Sequence, residues 1–121
     1  MNTTSQVKKF ILTDEYQRAF EHANTNLTVK AIVLKHGTAN LTNFKDFLTA
    51  CYELGEVCSK YENTKKLLNL YLWLRTTLIK HLQHAGSNEV LKIACQIEIQ
   101  QAEEKITHVC DQLAPGKITP L

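Results

Sequence analysis

At 121 residues, 44% of them hydrophobic and 21% charged, the chain has the length of one domain and enough apolar material for a core. Its formal net charge of +2 is far below the basic bias of a nucleic-acid binder. No apolar run approaches the roughly 18 residues that a membrane span requires.

Residues 1–12 open with a polar stretch, Met1 to Gln6, that does not read as a secretory signal. Val7, Phe10 and Ile11 follow at helical spacing, so this segment is expected to be an amino-terminal arm or a short extra helix. The first main helix is expected from Thr13, with Asp14 and Glu15 against its positive end. Tyr16, Phe20, Ala23, Leu27, Ala31 and Leu34 form its stripe, widened by Val29, Ile32 and Val33. The polar Asn24-Thr25-Asn26 is a place where it would bend or break, and Gly37 is its stop.

Residues 37–43 read as a loop, with Thr42 or Asn43 capping a second helix. That helix carries Phe44, Phe47, Leu48, Cys51, Leu54, Cys58 and Tyr61 at core spacing. Gly55 inside it costs about 1 kcal/mol relative to alanine, which suggests that a neighbouring helix approaches there. Glu62-Asn63-Thr64 is a tight connection and predicts an antiparallel third helix.

The third helix has Leu67, Leu70, Tyr71, Leu74, Leu78, His81, Leu82 and Ala85 on one stripe, and Gly86 ends it. Leu68, Leu72, Trp73 and Ile79 lie off that stripe. Ser87 is the expected cap of the fourth helix, whose stripe is Leu91, Cys95, Ile99, Ala102, Ile106, Val109 and Leu113. Ile93 and Ile97 lie off it. Ala114-Pro115-Gly116 stops the pattern, leaving residues 115–121 as a flexible tail. The whole predicts an all-α protein, an antiparallel four-helix bundle over residues 13–114.

Charge alternates between the last two helices. Lys60, Lys65, Lys66, Arg75 and Lys80 mark the third, while Glu89, Glu98, Glu103, Glu104 and Asp111 mark the fourth. Neighbouring helices of opposite sign are expected to set register and topology.

The residues that could carry chemistry are placed as core or helix-end residues instead. Cys51 and Cys58, like Cys95 and Cys110, sit nearly in phase on one helix at separations no disulfide spans. All four are expected to be buried thiols in a reducing cytoplasm. The Asn-x-Thr sequons at Asn2, Asn26 and Asn40 have no secretory signal to give them meaning. No Cys-x2-Cys pair and no Glu-x-x-His occurs, so neither structural zinc nor a di-iron site is expected, and four scattered glycines build no phosphate loop. No cofactor, catalytic residue or metal ligand is therefore assigned. The string Leu34-Lys35-His36-Gly37 resembles the histidine phosphotransfer signature of four-helix signalling bundles, although Ile32 stands where the accepting histidine would.

What is left is surface. The off-stripe residues of the third and fourth helices give the bundle an extra apolar face, which either packs the amino-terminal arm or docks a partner helix. The string Leu67-Leu68-Asn69-Leu70-Tyr71-Leu72-Trp73-Leu74 with Leu78-Ile79, the polar break Gly86-Ser87-Asn88-Glu89 and the preceding block Asn43–Leu54 resemble the flagellin export chaperones of flagellar secretion. The resemblance covers residues 41–106. The first forty residues lack that family's amino-terminal Tyr and Pro signature, and Ile106 stands near its usual late tryptophan. The resemblance implies capture of a disordered or amphipathic helical segment in apolar grooves, with Leu70, Trp73, Ile93 and Ile97 as groove residues. The expectation is thus a non-enzymatic cytoplasmic binding module for a protein partner: a chaperone, adaptor or inhibitor. A phosphotransfer-like bundle and a self-associating structural protein, a homodimer through the extra face, are the alternatives.

Overall fold

The computed structural model describes residues 3–36, 40–86 and 88–113, with the side chains described from Asp14 onward. It contains four helices, α1 (Thr3–His36), α2 (Leu41–Lys60), α3 (Thr64–Gln83) and α4 (Glu89–Leu113), and no strand among the described residues. The all-α four-helix expectation holds.

Connections are short, so successive helices run antiparallel. α1 packs along α2 and α3 along α4, while α2 meets α3 over a smaller seam. The molecule is two helical hairpins joined side by side. Its core is a single apolar cluster built from Leu27 and Leu34 of α1, Phe44, Phe47 and Leu54 of α2, Leu74 and Leu78 of α3, and Leu91 of α4. Among the described residues no polar or charged residue is fully buried.

The helix ends show why each element starts and stops where it does. Asn40, extended at φ −128° and ψ 165°, caps α2, its side-chain oxygen accepting from the Asn43 N–H at 2.8 Å. That places the cap ahead of Thr42 and Asn43. Asn63 caps α3 through the Lys66 N–H at 3.2 Å. Asn88 takes the capping role for α4, accepting from the Leu91 N–H at 3.1 Å, and Ser87 lies outside the described residues. Between α2 and α3 the chain closes a Schellman motif. The Asn63 N–H donates to the Cys58 carbonyl at 2.8 Å and the Glu62 N–H to the Ser59 carbonyl at 3.1 Å. Glu62 occupies the left-handed position, φ 57°, where glycine is the usual residue.

Two local expectations are revised. α1 runs unbroken from Thr3, so residues 3–12 continue the main helix and do not form a separate arm. No breaker lies between Thr3 and Thr13, and extending a nucleated helix costs little. Asn24-Thr25-Asn26 does not interrupt α1 either. Asn24 and Thr25 stand exposed, and the Thr28 hydroxyl donates to the Asn24 carbonyl at 2.8 Å within the helix. The opposite charges of α3 and α4 do not pair: the ion pairs of the described residues are Arg18–Asp14 and Lys92–Glu89, each within one helix. Gly37 and the segment 114–121 lie outside the described residues.

Gly55 does what its position suggests. A β-carbon there would lie 3.2 Å from the Tyr71 hydroxyl and 3.6 Å from methyls of Leu67 and Leu70, so its absence lets α3 close on α2.

Candidate partner-binding groove

The zigzag of two hairpins leaves a trough where α1 and α3 face each other across α2. Its α1 wall is Phe20, Leu27, Ala31 and Ile32, its α3 wall Leu70 and Trp73, and its floor Leu54 and Cys58 of α2. The open trough has a volume of about 580 Å³ and its lining is mostly apolar. A groove of this size lined by aliphatic and aromatic side chains suits an apolar helix face.

Each wall is held by identifiable contacts. Trp73 leans on the fully buried Phe47, ring centroids 5.8 Å apart and planes at 57°, and still exposes 42% of its surface. One edge is anchored in the core and the other is free for a ligand. At one end of the trough Tyr16 packs at a tilt between Phe20 and Tyr61, at 5.7 and 5.4 Å, and its hydroxyl accepts from the Asn63 amide at 2.8 Å. This ties α1 to the start of α3. Burial first, then the neighbouring Cys58 thiol, raises the Tyr16 phenol above its ordinary pKa. The Lys66 ammonium lies over the Phe20 ring at 4.0 Å, closing that end with positive charge. Lys35 marks the other end, and Asn24, Thr28 and Asn69 complete a polar rim. Both charged groups lining the trough are therefore cations.

Of the four residues assigned to partner binding, Leu70 and Trp73 line this trough together. Ile93 and Ile97 do not. They stand 54% and 51% exposed on α4, a helix that contributes nothing to the trough. Val90, 63% exposed, joins them at helical spacing in a second apolar strip. Ile32 belongs to the trough and was readable only as widening the α1 stripe; the off-stripe signal that picked out Trp73 applies to it equally.

The other titratable groups are arranged as structure. Cys51, Cys58 and Cys95 are buried, whereas Cys110 is exposed, contrary to the expectation of four buried thiols. It lies near the end of α4, after Val109, the last buried residue of that helix. Burial pushes Cys51 up to about 12 and Cys95 to about 11, so both are protonated at neutral pH. Burial likewise raises Cys58, with Lys66 pulling the other way. Tyr52 of α2 donates to the Glu98 carboxylate of α4 beneath the Lys105 ammonium, 5.5 Å from its ring. Burial and that acceptor raise Tyr52 well above the ordinary phenol range. His81 stacks face to face on Phe44 at 5.7 Å, and its buried Nε2 has no hydrogen-bond partner. Burial, then His84, lowers its pKa. His84 Nδ1 donates to the Lys80 carbonyl at 2.7 Å, and His36, the last residue of α1, is exposed.

Among the described residues no three His, Cys, Asp or Glu side chains converge as metal ligands would, and no helix is long and apolar enough to cross a membrane. The fold and trough define a small helical bundle with an open apolar groove between α1 and α3. Comparison with protein-family models, with curated proteins and with solved structures finds no match.

Proposed function

We propose that the protein is a non-catalytic binding module that captures an amphipathic helix in the α1–α3 trough. The observation that carries this reading is the half-free Trp73, seated on Phe47 at the edge of an apolar trough that has a lysine at each end. A helix that buries its apolar side chains against Leu27, Leu70 and Trp73 gains the hydrophobic term. Acidic residues at its ends meet Lys66 and Lys35, which fix register and speed encounter. A chaperone, adaptor or inhibitor acting on an acidic amphipathic segment of another protein fits this mechanism, as does the likeness of residues 41–106 to flagellin export chaperones.

Trp73 is the single tryptophan of the chain, so its emission reports the trough directly. Titration with a designed amphipathic peptide, apolar on one face and glutamate at both ends, is expected to shift that emission to the blue and to saturate. Ile32→Glu with Lys35→Glu is expected to abolish the shift while leaving helicity intact, since both residues are exposed. An unchanged emission spectrum at saturating peptide, or equal binding by the variant, refutes the reading.

A further inference from the structure

We infer that the trough of one molecule accepts the outer face of α4 from a second copy, a deepening that rests on the groove reading above. Val90, Ile93 and Ile97 form an exposed apolar strip at helical spacing, and none of them belongs to the trough. Glu89 begins the strip and Glu104 lies beyond its far end, both exposed.

The two surfaces match in length and in sign. Glu89 and Glu104 are fifteen residues apart on one helix, a span of about 22 Å. Lys66 sits over Phe20, and Phe20 is fifteen residues from Lys35 along α1, which again gives about 22 Å between the cationic ends. An α4 laid along the trough sets one acid near each lysine, with Ile93 and Ile97 between them against Leu70 and Trp73. Glu89 has Lys92 at 3.5 Å in its own helix, an exposed contact that a trough lysine can replace. The acids of α4 make no ion pair with α3 among the described residues: Glu89 meets only Lys92 of its own helix, and Glu104 is in none of the ion pairs.

Because the trough and the strip use different helices, each copy offers both at once. The contact is heterologous, head to tail, and builds rings or open chains rather than a two-fold dimer. Self-docking occludes the trough, so a client helix competes with a neighbouring copy for the same surface.

Two variants test this by complementation. Ile93→Glu with Ile97→Glu removes the strip and keeps the trough. Ile32→Glu with Lys35→Glu removes the trough and keeps the strip. All four positions are exposed, and circular dichroism checks that both proteins remain folded. Sedimentation equilibrium of the unmodified chain is expected to show average mass rising with concentration above the 13.8 kDa monomer, less so at high salt. Each variant alone is expected to associate at least about tenfold more weakly. Their equimolar mixture is expected to form a complex of twice the monomer mass, since one intact trough meets one intact strip. A monomeric native chain at every concentration overturns the inference, and so does a mixture that stays monomeric. A trough variant that associates as strongly as the native chain while the strip variant does not also overturns it, because that marks a two-fold α4–α4 contact. The designed acidic peptide separates the two readings: a Trp73 shift with a monomeric chain sinks self-docking and keeps the groove, while no shift sinks both.

Discussion

Glu62 pays a conformational cost that its side chain does not repay, and replacing it with glycine should stabilise the fold. The residue sits at φ 57° in the Schellman turn that carries α2 into α3, and its side chain is exposed. Holding a non-glycine residue left-handed costs about 1–2 kcal/mol. Glycine removes that cost but loses about 0.4–1 kcal/mol of stability through the greater freedom of the unfolded chain. The loss of one exposed carboxylate near Lys60, Lys65 and Lys66 takes back a few tenths of a kcal/mol at most. The net expectation for Glu62→Gly is a gain of about 0.5–1 kcal/mol. With a urea m-value on the order of 1.5 kcal/mol/M, the midpoint should rise by about 0.3–0.7 M. Gly86 provides the mirror experiment. It has φ 64°, and a β-carbon there would meet nothing within 4 Å, so Gly86→Ala isolates the backbone cost. It should lose about the amount that Glu62→Gly gains. Urea denaturation of both variants, followed by far-ultraviolet circular dichroism, measures the pair. A midpoint for Glu62→Gly at or below that of the unmodified chain would refute the reasoning. So would a Gly86→Ala protein of undiminished stability.

Three further outcomes follow from the contacts described. Tyr52→Phe should cost about 1–2 kcal/mol, because it strips a charge-assisted bond from the half-buried Glu98 and loosens α4 from α2; a double-mutant cycle with Glu98→Gln that returns no coupling would refute the clasp. His81 has a pKa below its ordinary value in the fold, so the unfolded chain binds its proton more readily, and stability is present above about pH 6.5 and lost as pH falls below it. His81→Phe keeps the stack on Phe44 and removes the orphaned nitrogen, so its melting temperature should depend less on acid; identical pH profiles for the two proteins would count against this. A disulfide reagent in slight excess should titrate one thiol quickly in the native protein, Cys110, and four after denaturation; fast modification of two or more native thiols would contradict the burial of Cys51, Cys58 and Cys95.

α2, α3 and α4 were legible because each carries a stripe with a 3.6-residue period and starts beside a capping asparagine, whereas α1 shows its stripe only from Phe20 to Leu34. Phe44, Phe47, Leu54, Leu74, Leu78 and Leu91 all fall where that period puts the core. The caps were less legible. Asn40, Thr42 and Asn43 are all competent by composition, and the choice went to the residue whose own backbone is extended while its oxygen reaches the N–H three residues on. The trough was legible only by halves. Periodicity reveals that Trp73, Ile93 and Ile97 fall off a stripe, but it fixes no azimuth between helices. It therefore could not separate a side chain facing α1 from one facing outward. Nor could it anticipate that α1 packs along α2 while α3 pairs with α4, the arrangement that opens the trough.

The seam between the two hairpins is smaller than the contact inside either one, so few residues fix how far apart the hairpins stand. Since α1 packs along α2, the distance between α2 and α3 sets the gap between Ile32 of α1 and Trp73 of α3. For the proposed groove, the width offered to a helix is therefore governed at Gly55, where α2 and α3 are pressed together.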